Sequence, residues 1–307
     1  MTQAAADVAR LDARAEARLG VLFGLGAYGL WGVFPLYFKA IAQVPALEVL
    51  AHRIVWSVLL LVALVLLQRR GRALLRVLAH WPTALALATT TVLIALNWFV
   101  FIWAVANNHV LQSSLGYFIN PLVNVLLGFV FLRERLRRGQ VLAVALAAVG
   151  VGLRTWHQVP WIALVLAGSF GFYGLLRKVA RVDALLGLTV ETALLAPWAA
   201  GYLLYLGARG DGAFGAVSPK LTILLLLAGV ITAVPLLWFT HAAKRLTLTT
   251  LGFLQYLAPT GHFLLAVLAF GEPFTRHDVL SFALIWSALG IYSADAVQRG
   301  RQLAPVG

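Results

Sequence analysis

The sequence predicts an all-α integral membrane protein: ten transmembrane helices arranged as two inverted five-helix repeats. Three observations predict it. Hydrophobic residues make up 62% of the 307 and charged residues only 11%, against about 25% charged in soluble domains. Too few polar groups exist to cover a globule in water. The apolar residues fall into ten runs, most of them near the roughly 20 residues that a helix needs to cross the hydrocarbon core. The second half of the chain also repeats the first at a nearly constant offset.

The N-terminal tail, 1–18, mixes Arg10, Arg14 and Arg18 with Asp7, Asp12 and Glu16. It reads as a short polar or helical segment. The apolar run after it is too long for a signal-peptide core and lacks a small-residue cleavage site, so it reads as an uncleaved first span. The spans fall at roughly 19–39, 47–67, 83–105, 109–131, 140–156, 160–178, 184–206, 220–241, 247–270 and 278–297. Only Ala106–Asn108 separate the third from the fourth, the fifth is short, and the sixth starts at Pro160. Links are brief, with a Gly-rich one over 207–219. The first repeat covers 19–156, the second 157–297, and a C-terminal tail 298–307.

Orientation follows from Lys and Arg. With the N-terminus in the cytoplasm, 18 of the 24 basic residues fall on cytoplasmic segments, five on outer segments, and Arg53 within a span. Both termini are then cytoplasmic. This clustering between apolar runs explains the net charge of +13 without nucleic acid. With no Cys, disulfides, thiol catalysis and Cys-based metal sites are excluded.

The repeat aligns Asn97–Leu153 with Pro235–Ile291 at an offset of 138, placing Pro121 on Pro259 and Glu134 on Glu272. An earlier stretch matches at 139, with Trp31–Gly32 on Phe170–Gly171. Five helices is an odd number, so the second copy must be upside down. The charges agree: Arg133–Arg138 carries four basic residues and its counterpart Gly271–Arg276 one. Inverted repeats are the architecture of many secondary transporters, because two related halves can exchange conformations about one site.

Polar side chains within spans are costly and tend to face an interior or a cavity. Tyr117, Asn120, Pro121 and Asn124 share one face of the fourth span by their spacing. Gln255, Pro259 and His262 repeat that pattern in the ninth, beside Tyr256. These two stripes, with Asn97 and Trp98 of the third span, are the expected walls of a substrate cavity; interhelical hydrogen bonding is the alternative. Pro121 and Pro259 are expected helix hinges or static kinks. Glu48 and His52 are four apart on the second span, next to Arg53, and His52 maps onto Glu191 of the seventh. These four are candidate intramembrane charge or proton sites, or a structural lock. Gly26, Gly29 and Gly32, matched by Gly168, Gly171 and Gly174, allow close helix approach.

Gly24–Gly29 fits a dinucleotide fingerprint, but it lies inside an apolar helix with no strand before it, so it carries no nucleotide. No catalytic residue, metal site or cofactor is expected.

The runs Glu48–Ser57, Leu115–Asn124, Leu132–Arg135 and Thr250–Pro259 resemble the RarD subgroup of EamA-type permeases, within the drug/metabolite transporter superfamily. The resemblance spans about Gly20 to Ala296. It implies ten helices in two inverted halves, a bacterial inner-membrane location, and export of amino acids or other metabolites by alternating access. The subgroup is linked to chloramphenicol sensitivity, so an exporter of amphipathic drugs is the alternative, and a non-transporting receptor or scaffold a more distant one. A lipid-modifying membrane enzyme is disfavoured by short, acid-poor loops. The expected partners are a small-molecule substrate and the lipid bilayer, with no nucleic acid; the sequence leaves oligomeric state and coupling ion open.

Overall fold

The computed structural model describes residues 3–133, 135–155, 159–180, 182–243, 245–246 and 248–303. Among these there are helices and no strands. The order is α1 (Gln3–Ala40), α2 (Ala46–Leu67), α3 (Gly71–Ala79), α4 (Trp81–Ala106), α5 (Val110–Leu132), α6 (Arg138–Thr155), α7 (Trp161–Ala180), α8 (Ala184–Arg209), α9 (Pro219–Ala243), α10 (Leu248–Gln255), α11 (Leu257–Leu264), a π turn (Leu265–Ala269) and α12 (Arg276–Leu303). Six of the described helices, α1, α2, α4, α5, α8 and α9, are long and apolar enough to cross a membrane. Shorter apolar helices cover Arg138–Leu153, Trp161–Arg177 and Leu257–Ala269. Leu66, Leu67, Trp198, Leu204 and Leu268 are left largely exposed, as a lipid-facing surface requires.

Three features refine or correct the sequence reading. The N-terminal tail is continuous with the first span as one helix, α1. The link after α2 holds α3, whose Ala73, Leu74 and Val77 pack on Leu61, Val65 and Leu185 while Arg72 and Arg76 face outward. Nine residues are too few to register as a span. The ninth span is broken: α10 ends at Gln255 and α11 begins at Leu257. The break sits where the Pro259 ring would meet the carbonyl four residues back. By contrast, α5 continues through Pro121. Glu134, the expected repeat partner of Glu272, lies outside the described residues.

Helix ends are set locally. Asp183 caps α8, its Oδ1 accepting from Leu185 N (3.1 Å) and Leu186 N (3.4 Å). Gly210 closes the other end of α8 at φ +72°, a conformation that favours glycine.

The helices interleave across the two sequence halves. α6 packs on α12, α2 on α8 and α9, α4 and α5 on α7, and α1 on α9 and α11. A single large core joins residues from α1, α2, α4, α5, α7 and α12. Two seams are drawn in to backbone contact. A Cβ at Gly261 would stand 2.7 Å from the Gly32 carbonyl oxygen, and one at Gly116 would stand 2.8 Å from that of Ala163.

The bundle has two polar ends. At one, Lys39 Nζ donates to Asn108 Oδ1, and Glu272 holds the start of α5. At the other, Arg70 pairs with Asp183 (3.1 Å), Arg137 with Asp295 (2.8 Å) and Arg245 with Glu16 (2.8 Å).

Candidate functional site

The polar residues inside the bundle form three groups. The central one is built on Arg53, seven residues into α2 and only 7% exposed. Its Nε donates to Thr232 Oγ1 of α9 at 2.9 Å. Its guanidinium lies 4.2 Å from the Trp98 ring centre and 5.8 Å from that of Phe38. The Tyr37 and Tyr117 hydroxyls lie within electrostatic range of it. Placing Arg at a helix centre costs about 2.5–3.5 kcal/mol on insertion scales. A desolvated cation–π contact returns about 2 kcal/mol, and a hydrogen bond from a charged donor about 1.5–3. Arg53 can therefore stay charged and buried without an acid beside it.

Next to Trp98 on α4, Asn97 joins three helices. Its Nδ2 donates to the Leu166 carbonyl and to Ser169 Oγ of α7, both at 3.0 Å, and its Oδ1 accepts from the Tyr117 hydroxyl of α5 at 3.1 Å. Tyr117 in turn meets Phe101, Phe170 and His262 edge-on. His262 Nε2 donates to the Trp31 carbonyl at 2.9 Å, which puts the proton of the neutral ring on Nε2. Four expected cavity residues, Asn97, Trp98, Tyr117 and His262, thus converge here. Phe38, Tyr37, Ser169 and Thr232 complete the group; nothing in their local sequence marked them.

The second group lies toward the Glu272 end. Glu48 Oε1 accepts from Ala213 N at 2.6 Å. His52 stacks on Phe214, and its Nδ1 accepts from Trp56 Nε1 at 3.2 Å. That leaves His52 Nε2 toward Glu48 at 4.0 Å, beyond hydrogen-bond range. Glu48 is therefore tied to the loop between α8 and α9.

The third group surrounds Glu191, which is 0% exposed. Its Oε1 accepts from Thr90 Oγ1 at 2.7 Å, its Oε2 from the Tyr173 hydroxyl at 3.3 Å, and Arg177 Nη1 lies 3.9 Å away. Gly187 makes room for that guanidinium: a Cβ there would stand 1.7 Å from Arg177 Nη1. The four charged candidates Glu48, His52, Arg53 and Glu191 thus occupy three separate places, and Arg53 alone of them joins the proposed cavity residues.

The amide stripe of α5 is also divided. Asn120 is 1% exposed, and both its Nδ2 and Oδ1 are buried without a partner. It lies on the face that carries Gly116, Val123 and Leu127, whose neighbours belong to α7. Asn124, one turn on, is exposed, with its Oδ1 near Gly171 and Gly174 of α7. Gln255 and Tyr256 are half-buried at the break between α10 and α11. Tyr256 also reaches Ser293 of α12, whereas Pro259 is buried, its carbonyl accepting from Ser114 Oγ at 2.9 Å.

Comparison with known proteins agrees with this architecture. Residues 18–156 match the EamA-like transporter family. An uncharacterized transporter of Vibrio cholerae is 50% identical over 288 residues, covering 93% of this chain and 95% of its own. Protein RarD of Escherichia coli is 48% identical over 294 residues, covering 95% and 99%. The chloramphenicol-sensitive protein RarD of Pseudomonas aeruginosa is 34% identical over 291 residues, covering 93% and 97%. A solved crystal structure, 20% identical and covering 89% of this chain and 96% of its own, has the same fold at a TM-score of 0.58.

Proposed function

The chain belongs to the EamA-like transporter family as a RarD-type permease, and from that premise we propose that it exports small metabolites, amino acids foremost, by alternating access. It is a multi-pass membrane transporter of the drug/metabolite superfamily. In the proposed arrangement α6, α7, the α10–α11–π-turn unit and α12 join the six long helices as spans. Residues 19–156 and 157–297 are the two inverted copies, set in a bacterial inner membrane with both termini cytoplasmic.

One observation carries the alternating-access reading. Contacts between the halves occur as exchanged pairs. Gly24 faces Leu254, and their repeat counterparts Ala163 and Gly116 face each other. Gly32 faces Gly261, and their counterparts Gly171 and Val123 face each other. The pairing of whole helices follows the same rule: α1 with α9 mirrors α7 with α4, and α6–α12 and α2–α8 map onto themselves. Such exchange is what a pseudo-two-fold axis in the membrane plane produces, and it lets one half adopt the other's shape.

The ends of α5 support a conformation closed toward the Glu272 end. Its first half, through Asn120, is almost wholly buried, whereas Asn124, Leu126, Phe129 and Val130 are exposed. An amide facing lipid is costly, so exposed Asn124 is better explained by a vestibule opening to the opposite, cytoplasmic end.

Amphipathic drugs are the second reading of the cargo. The central group is rich in rings, and the sealed amide of Asn120 offers nothing to a polar substrate. The two readings separate in proteoliposomes loaded with unlabelled amino acids and challenged with labelled ones. Counterflow of one or a few amino acids is the expected result. Absence of counterflow in folded protein, with uptake of labelled chloramphenicol instead, would replace the first reading with the second.

A further inference from the structure

The central group holds a cation whose binding capacity is unused. Arg53 spends its Nε on Thr232 and its ring-like face on Trp98. Among the described residues no carboxylate lies within 4.0 Å of the guanidinium, and the acids of neighbouring spans are committed elsewhere. Glu48 holds Ala213 N, Glu191 holds Thr90, Tyr173 and Arg177, and Glu272 holds Val110 and Leu111. The sealed polar atoms without a hydrogen-bond partner include His52 Nε2, both amide atoms of Asn120 and Arg177 Nη1, but neither Nη of Arg53. These two nitrogens bond to no described residue, and Arg53 keeps 7% of its surface accessible, so both donors are available to a ligand. They present the parallel pair of N–H donors that matches a carboxylate in two-point contact. The rings of Trp98 and Phe38 lie 4.2 and 5.8 Å from the guanidinium, and Tyr117 lies within its electrostatic range.

We propose that Arg53 anchors a carboxylate on the cargo, which lies against the rings of Trp98, Phe38 and Tyr117, and that an amino group on the cargo is dispensable. The inference rests on the transporter reading and narrows its substrate class to organic carboxylates, amino acids among them. The chemistry behind the second half is asymmetric. One unpaired cation meets the carboxylate, whereas among the described residues no acid lies within 4.0 Å of it to receive an ammonium group alongside, Glu48 being held at the α8–α9 loop by Ala213 N. A neutral drug would leave the fork unfilled.

The experiment measures the melting temperature of purified protein in detergent with four probes: 3-phenylpropionate, phenylalanine, phenethylamine and chloramphenicol. Each is titrated against the natural chain, Arg53→Gln and Arg53→Lys. Phenylpropionate and phenylalanine are expected to stabilise the natural chain with similar half-saturation, and the other two to leave it unmoved. Losing two charge-assisted hydrogen bonds predicts that Arg53→Gln weakens the carboxylate probes at least about tenfold. Arg53→Lys, which keeps the charge without the fork, should fall between. The proposal is overturned if phenethylamine or chloramphenicol stabilises as well as the carboxylates. It is equally overturned if no carboxylate stabilises the natural chain, or if Arg53→Gln and Arg53→Lys both respond as that chain does. Should Arg53→Gln fail to give a monodisperse preparation, the probe series on the natural chain and Arg53→Lys decides alone. Counterflow separates this from the broader reading. Amino acids failing in counterflow while phenylpropionate acts through Arg53 would remove amino acids as cargo and leave the anchor. Counterflow indifferent to Arg53→Gln would remove the anchor and leave the transporter.

Discussion

Glu272, in the link before α12, holds the first turn of α5. Its two carboxylate oxygens accept from Val110 N at 2.7 Å and Leu111 N at 2.8 Å. Those amides belong to the first turn of α5, where no intrahelical partner exists, and both residues are buried. The acid is thus a helix cap supplied 161 and 162 residues away in sequence, and it pins the α11–α12 link to α5.

Glu272→Ala should therefore strand two buried donors, at about 1–3 kcal/mol for each unsatisfied group. The melting temperature should fall, and this end of the bundle should open more often. Because the chain has no Cys, Gln112→Cys is a background-free reporter just inside the capped turn. Its maleimide labelling should quicken in the Glu272→Ala background. An unchanged rate would mean that the cap does not govern opening here.

Gly187 and Arg177 should behave as one unit. A methyl at 187 falls on the end of a flexible guanidinium, so Gly187→Ala displaces Arg177 from Glu191 without breaking the helix. The two substitutions Gly187→Ala and Arg177→Ala should lower transport alike, and the double variant should be no worse than either. Additive losses would show that Gly187 acts some other way.

If the break at Tyr256 is a hinge, its proline should matter more than the one in continuous α5. Pro259→Ala restores an N–H able to bond to the Gln255 carbonyl. Counterflow should then slow several-fold at saturating substrate with little change in half-saturation, while Pro121→Ala stays closer to the natural rate. A matched loss of rate and affinity in Pro259→Ala would point to a binding role instead.

Asn120 is buried with both amide atoms unpartnered. Asn120→Leu removes about 1–3 kcal/mol of unsatisfied burial per polar group and should raise the melting temperature if the site admits the branched side chain. Counterflow should persist. Loss of counterflow at an unchanged melting temperature would return the amide to the substrate path.

Much of the helix layout was legible in sequence because hydrophobic run length acts locally. Five of the six long helices lie within a few residues of the predicted spans, and the sixth, α1, runs on through the predicted tail. What failed depended on context. α3 is too short to stand out by hydropathy, and its Ala73, Leu74 and Val77 become meaningful only against Leu185. Spacing put Asn120 and Asn124 on one stripe, but a stripe about 40° wide straddles the α7 contact, sealing one amide and exposing the other. Glu272 stood out in sequence only as the repeat counterpart of Glu134, since nothing near it names the helix it caps. Arg53 was visible as a charge in a span, whereas its partner Thr232 lies 179 residues away.

The exchanged glycine seams differ in one respect. Where Gly32 meets Gly261, main chain touches main chain; at the matching seam a Val123 methyl comes between. A transporter whose copies were identical would have no reason to rest facing one side rather than the other, as a balanced seesaw has none. On the proposed inverted-repeat arrangement, residues at which the copies diverge, such as Gly261 and Val123, are where evolution can write a resting posture, independently of what is carried.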